Sequence, residues 1–186
     1  MNYILFFLTI VMIQRLVELK IANRNAKWIK GQGGYEVGRE HYKYIVGIHL
    51  LFFISLLTEI YVMKLSLSLW SLVPLFVFLL AQIGRVWALA SLGKYWNTRI
   101  MILPGAKVVA KGPYRYMKHP NYVIVATEIV ALPLMFQAYL TAIIFTFLNA
   151  IILTVRVRAE EEALEALTNY KEAFSGRNRF FPRYED

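Results

Sequence analysis

The chain contains no cysteine. That excludes a disulfide framework, a thiol nucleophile and any thiolate-held metal. Histidine is scarce as well: His41, His49 and His119 are the three present. They are scattered without metal-ligand spacing, and there is no zinc or di-iron motif. Acidic residues number 12 against 21 Lys and Arg, which gives a formal net charge of +9. No internal repeat or low-complexity tract marks a second domain, and 186 residues suit one domain. The N-terminus lacks a basic stretch before its apolar run and a small-residue cleavage site. It reads as a retained helix rather than a signal peptide.

Apolar residues are abundant. The chain is 58% hydrophobic and 15% aromatic, with a mean hydropathy of +0.47. Soluble domains hold about 45–50% apolar residues. The excess points to a membrane and argues against nucleic acid as the partner of the positive charge. Basic loops at a lipid surface account for that charge better.

The apolar residues fall into runs. The first covers Tyr3 to Ile13, and helix can continue through Gln14, Arg15 and Glu18 towards Ile21. Arg15 and Glu18 are spaced i,i+3 and can pair near the membrane boundary. A basic connection follows from Lys20 to Lys43, with a turn at Gly31, Gly33 and Gly34. The second run spans Tyr44 to Met63. After a tight connection from Lys64 to Ser68, the third covers Leu69 to Ala90. A fourth run reaches from Tyr122 to Phe136, and a fifth continues to Val155 after a turn at Gln137 to Tyr139. The last two are short for spans of about 20 residues and suit a helical hairpin. Arg156 to Phe174 then reads as an amphipathic helix, with Val157, Leu164, Leu167 and Phe174 on its apolar side. The tail from Arg177 to Asp186 mixes arginine with Phe180, Phe181 and Tyr184, a composition suited to a membrane interface.

Residues 20–43, 85–118 and 156–186 together hold 19 of the 21 Lys and Arg. Five spans place all three regions on one side, which the positive-inside rule makes cytoplasmic. The expectation is therefore an all-α, polytopic membrane protein with five spans. Its N-terminus lies outside, and its C-terminus and loops lie inside. Residues 1–90 form three N-terminal spans of a single domain, and 91–186 carry the site.

Two stretches on the predicted inner face stand out. One is Gly112-Pro113-Tyr114-Arg115-Tyr116-Met117-Lys118-His119-Pro120-Asn121-Tyr122. Each proline lacks an N–H and moves the residue before it out of helical geometry, so the stretch is irregular and pinned. Long ordered loops of this kind are usually functional. The other stretch is Arg156-Val157-Arg158-Ala159-Glu160-Glu161-Glu162. Arg156 and Glu160 share one helix face at i,i+4. As an exposed pair they would contribute about 0.3–0.5 kcal/mol. Three consecutive glutamates cannot share a face, so at least one is solvated. Glu128, inside the fourth run, either orients substrate or pairs with Arg85 or a wet boundary. Trp87 and Trp96 read as interfacial anchors rather than stacking partners for adenine.

The two stretches, separated by one helical hairpin, resemble the isoprenylcysteine carboxyl methyltransferase family of integral membrane enzymes. More broadly they resemble membrane methyltransferases that include phospholipid N-methyltransferases. Leu92-Gly93 with Trp96, Pro104-Gly105, Tyr170 and Arg179-Phe180-Phe181-Pro182 extend the likeness across residues 84–183. Lys118 stands where arginine is usual. It keeps the charge without the planar fork, so it is assigned no bidentate role.

The resemblance implies S-adenosyl-L-methionine as methyl donor. It implies that Ala106, Lys107, Val108 and Val109 approach the cofactor, partly through backbone groups. Tyr114, His119, Pro120, Asn121 and Tyr122 would line its pocket. Glu160 would hold a polar part of the cofactor, and Arg156 would face the methyl acceptor as the catalytic residue; Arg99 is a further candidate position. No metal is implied. No GxGxxG fingerprint follows a strand pattern, which argues against a soluble Rossmann-type methyltransferase.

Methyl transfer from a sulfonium is an in-line displacement, with the acceptor atom held about 3–3.5 Å from the methyl carbon. A carboxylate acceptor needs no base, and a phenol-like or enol acceptor could be held as its anion by Arg156. His119 is either cofactor-facing or a general base. The stretches Gln14-Arg15-Leu16-Val17-Glu18-Leu19 and His41-Tyr42-Lys43 resemble bacterial members that act on polyketide-derived lipids such as alkylpyrones. That ranks O-methylation of a long-chain hydroxyl first, carboxyl methylation of a prenylated cysteine second and phospholipid N-methylation third. Two other classes stay open: a non-enzymatic membrane protein whose basic loops bind anionic lipid, and a reductase on a related membrane scaffold. Binding of S-adenosylmethionine but not a nicotinamide cofactor separates them.

Overall fold

A computed structural model describes residues 2–182. Tyr184, counted above with the interfacial tail, lies outside them. Six α-helices carry the fold: α1 Asn2–Gly31, α2 Arg39–Val62, α3 Leu72–Leu92, α4 Pro120–Met135, α5 Tyr139–Leu167 and α6 Tyr170–Ala173. Strand β1, Tyr35–Val37, pairs antiparallel with β2, Ile100–Ile102, with Glu36 opposite Met101. The chain is an all-α membrane protein with this one two-stranded insert among the described residues.

The helices form because each run places apolar residues at helical spacing. Ile4, Leu8 and Val11 of α1, Phe52, Leu56 and Ile60 of α2, and Ile129, Leu132 and Met135 of α4 meet in one core with Phe145 of α5. The outward faces keep large apolar groups uncovered, among them Leu79, Ile83 and Val86 of α3 and Ile143, Phe147 and Ile151 of α5. Such faces belong against lipid. There, apolar side chains gain little by meeting each other, and close packing and polar ties hold helices together.

Among the described residues, three helical segments are long and apolar enough to cross a membrane: Arg39–Val62, Leu69–Tyr95 and Tyr139–Leu167. Helix α4 has 16 residues, or about 24 Å at 1.5 Å per residue, against a hydrocarbon core of about 30 Å. Helix α1 is long enough but carries Arg15 and Glu18 midway.

Two sequence expectations change. Helix α1 runs through the first half of the supposed basic connection to Gly31, because the Asn25 side chain docks on the backbone oxygens of Gly93 and Trp96. Arg156 to Phe174 is not a separate amphipathic helix. Residues up to Leu167 extend α5, which ends where Thr168 turns extended (φ −140°, ψ 179°), and α6 follows.

The polar ties mark two ends of the bundle. At one end the Gln137 amide reaches Ser66 O and Ser68 Oγ, both at 3.2 Å. There the Glu59 carboxylate accepts from Leu140 N, Thr141 N and the Thr141 hydroxyl, satisfying the first turn of α5. At the other end lie the β1–β2 pair, the segment between α3 and α4, and the residues after α5. These are the three basic regions of the sequence.

Midway through the bundle, three buried charges, Glu18, Arg85 and Glu128, meet a half-buried fourth, Arg15. The Arg85 guanidinium pairs with both oxygens of Glu128 and with Glu18 at 3.2 Å; Arg15 pairs with Glu18 at 2.8 Å and Glu128 at 2.9 Å. Gln14 and Gln82 complete the network, Gln82 donating to Glu128 at 2.6 Å. Two positive and two negative groups cancel, which removes most of the penalty for holding ions away from water. Glu128 is thus a partner of Arg85, one of the two readings above, and of Arg15 as well.

Candidate functional site

The irregular stretch before α4 is built by its glycine and prolines. Gly112 has φ +54°, a left-handed conformation that side chains rarely adopt. A Cβ there would run into Ser91 and come within 2.9 Å of the Trp87 indole nitrogen. The backbone therefore lies directly on α3. Pro113 starts a short 3-10 turn, Gly112–Arg115, that buries Tyr114 against Ala88, Tyr170 and Phe174. Pro120 then begins α4, where a missing N–H costs nothing.

A cleft opens at this end of the bundle, with about 1000 Å³ of unfilled space including its mouth. Ala106, Lys107, Val108, Val109, Tyr114, His119, Asn121, Tyr122, Arg156 and Glu160 all line it. The residues named from the sequence are thus brought together, with one exception. Pro120 is buried at the start of α4 and does not line the cleft.

Arg156 and Glu160 do not form a surface pair. Arg156 is only 8% exposed, and the Tyr122 hydroxyl stands between the two. It accepts from Arg156 Nε at 2.7 Å and donates to the Glu160 carboxylate. Arg156 Nη2 also donates to Thr98 O at 2.6 Å. Helix α5, helix α4 and the segment after α3 therefore meet at one guanidinium.

A second polar set holds His119. Its Nε2 lies 3.0 Å from Glu161 Oε1, with the Tyr170 hydroxyl at 3.4 Å. Arg179 donates to Glu161 through Nε at 3.0 Å and Nη2 at 2.6 Å. With a carboxylate facing it, Nε2 is assigned as the donor to Glu161. The backbone around His119 is tied too: Lys118 N donates to Asn178 O and His119 N to Arg179 O, each at 3.0 Å. Of the three consecutive glutamates, Glu160 faces the cleft, Glu161 is buried against His119 and Glu162 is exposed. Neither Glu161 nor Arg179 was assigned a role from sequence. The signal available was the glutamate run itself, in which one member had to point inward.

Ala106 to Val109 form one wall without regular structure. Ala106 N bonds to Leu103 O and Val108 N to Asn169 Oδ1 at 2.9 Å, so those two N–H groups are already committed within the protein. The Tyr114 hydroxyl is pushed well above the usual phenol range, first by burial and then by Glu160. Burial followed by the charge of Glu161 does the same to Tyr170. Both phenols keep their protons at neutral pH and belong to residues that line the cleft.

Trp96 departs from its expected role. It is 3% exposed and lines the cleft rather than anchoring at an interface, because the Gly93–Tyr95 turn folds it inward. Trp87 is half exposed. Within the cleft wall, Trp96 Nε1, Arg99 Nε and Asn121 Oδ1 are buried without a protein hydrogen-bond partner. Orphaned buried groups carry a cost of about 1–3 kcal/mol each until a ligand or water meets them. The Asn121 acceptor, the Glu160 carboxylate and the rings of the wall suit a ligand that is itself polar and partly aromatic. S-adenosylmethionine, with an adenine ring, a sulfonium and an amino-acid end, fits that set.

The uncharacterized protein YpbQ of Bacillus subtilis is 48% identical over 158 residues, covering 85% of this chain and 94% of its own length. An uncharacterized protein of Haemophilus influenzae is 27% identical over 154 residues, covering 82% of this chain and 90% of its own. The family model that matches residues 72–166 spans α3, the cleft loop, α4 and nearly all of α5. By that match the chain belongs to the isoprenylcysteine carboxyl methyltransferase family, and with it to the membrane methyltransferases.

Proposed function

We propose that this protein transfers a methyl group from S-adenosylmethionine to an oxygen of a lipophilic acceptor at the cytoplasmic face of a membrane. The first acceptor class is a polyketide-derived lipid such as an alkylpyrone. The observation that carries the reading is the buried Arg156–Tyr122–Glu160 arrangement in a cleft at the basic end of an apolar bundle.

When bound, S-adenosylmethionine supplies an electrophilic methyl group on a sulfonium. Glu160 holds a polar or cationic part of it. Asn121 and the Tyr114 and Tyr170 hydroxyls complete the polar wall around it. Arg156 keeps one guanidinium nitrogen, Nη1, outside the hydrogen bonds it makes within the protein. That nitrogen faces the acceptor and stabilises an oxygen anion before and during its attack. The surrounding burial strengthens the attraction. His119 braces the donor wall through Glu161.

The carboxylate of an isoprenylcysteine would meet the same guanidinium, and the family name favours that second reading. Cytoplasmic placement of the site rests on the basic regions gathered at the cleft end, with the N-terminus outside. The test is mass spectrometry of lipids from cells with and without the gene, paired with methyl transfer by the purified protein. A lipid methylated on oxygen only when the gene is present supports the reading. Purified protein with no affinity for S-adenosylmethionine removes it.

A further inference from the structure

The N-terminal third of the chain, outside the residues the family model matches, packs behind the cleft wall, and Tyr42 is one of the residues that does so. Tyr42, on the first turn of α2, brings its hydroxyl to 3.3 Å from Thr98 Oγ1. Its ring lies under the Arg99 guanidinium, 5.0 Å from centroid to Cζ. Glu36, in β1, faces Arg99 Nη1 at 3.5 Å. The β1–β2 pairing sets this arrangement, because Val37 is opposite Ile100, the residue after Arg99. Thr98 offers its backbone oxygen to Arg156 at 2.6 Å. Two guanidiniums are thus arrayed about one residue, Thr98, on the wall of one cleft.

Their hydrogen bonding is incomplete. Arg99 Nε is buried without an acceptor, as is Nε1 of Trp96, which is 3% exposed and lines the same wall. The ion pair with Glu36, at 3.5 Å, is long for a charge-assisted bond. The ring of Tyr42 fixes the plane of the guanidinium without using any of its N–H groups. Such a group, oriented and short of acceptors, is organised for an incoming oxygen anion.

We propose that Arg99 is a second anion-holding residue for the methyl acceptor, positioned by Glu36 and Tyr42 and acting beside Arg156. This rests on the methyl-transfer reading and narrows it. The acceptor carries an acidic oxygen, either a carboxylate or an ionisable enol or phenol, on a lipophilic chain. An amine-headed lipid is disfavoured, because two guanidiniums would repel it while it is protonated. Glu36 and Tyr42 are positioning residues and touch neither substrate.

The test uses the full chain in lipid nanodiscs with methyl-labelled S-adenosylmethionine. Three acceptors of equal chain length are compared: an alkyl hydroxypyrone, a fatty carboxylate and an alkylamine. The expected result is turnover of an acidic acceptor and little of the amine; the pyrone and carboxylate arms tell the two acid sources apart. Arg99→Gln should raise the acceptor KM at least tenfold, with S-adenosylmethionine affinity within about twofold of wild type. Tyr42→Phe keeps the ring and should raise KM only slightly, whereas Tyr42→Ala should approach Arg99→Gln. A merely structural role would lower kcat and donor affinity together. Direct calorimetry of the fatty carboxylate, with the donor present, keeps the proposal decidable if no acceptor turns over. Wild type should then bind it at least tenfold more tightly than Arg99→Gln. Equal binding, preference for the amine, or loss of donor affinity in Arg99→Gln overturns the proposal. Absence of S-adenosylmethionine binding by the wild type has its own signature and overturns the methyl-transfer reading, and this assignment with it.

Discussion

The Tyr122 hydroxyl joins Arg156 to Glu160, accepting from one and donating to the other. Residues on α5 that are one turn apart are thus connected through a residue of α4. Removing the hydroxyl in Tyr122→Phe leaves both charged groups short of a partner. A hydrogen bond to a charged group contributes about 1.5–3 kcal/mol. The expected outcome is roughly 10–100-fold weaker S-adenosylmethionine binding with folded protein retained in detergent. His119→Ala should weaken it as well, by leaving Glu161 with Arg179 alone. Calorimetry checks both, and wild-type affinity in both would take them off the donor site.

Arg156 and Glu160 should separate in kinetics despite their shared partner. Glu160→Gln weakens donor binding. Arg156→Lys leaves it near normal and lowers turnover by about tenfold or more, since lysine keeps the charge but not the fork. The double variant should deviate from additivity, because Tyr122 couples the two sites. If both single variants lose only donor affinity, Arg156 belongs to the donor site.

Glu128→Gln leaves Arg15 and Arg85 sharing the single carboxylate of Glu18. Breaking a buried pair costs about 3–5 kcal/mol. The combined Arg85→Met and Glu128→Met variant retains the neutral Arg15–Glu18 pair and should be the more stable of the two. Thermal unfolding in detergent reads the difference. A single variant as stable as wild type would show the four charges to be energetically independent.

Sidedness can be read cleanly because the chain has no cysteine of its own. A cysteine introduced at Lys27 or Lys107 should resist an impermeant thiol reagent in intact cells and react once the membrane is opened. Labelling of position 107 from outside would reverse the orientation.

The apolar cores of α2, α3 and α5 were legible in the sequence because uninterrupted apolar runs at helical length have few other solutions. The end of α1 was not. Polarity ends a hydrophobic run without ending a helix, and Asn25 finds its acceptors on Gly93 and Trp96, far along the chain. The three-residue strands β1 and β2 were invisible for the same reason, since their partners lie more than sixty residues apart. The i,i+4 relation of Arg156 and Glu160 was read correctly as a shared face. What lay between them came from α4 and had no local trace. The Arg15–Glu18 and Arg85–Glu128 pairs were each foreseeable. Their union into one network needed the packing of three helices.

The cleft draws Arg156 and its carboxylate, Glu160, from the last long helix, and the set that holds His119 is completed by that helix and the residues after it. Arg156, Glu160 and Glu161 lie on α5, and Arg179 follows. Synthesis delivers the chain from its N-terminus. Helices α1 to α4 can therefore be complete while Tyr122 and His119 still lack their carboxylates. Affinity for the donor arises only when α5 has joined the bundle. A nascent or stalled chain cannot sequester the cofactor, and only a fully inserted one can begin to methylate.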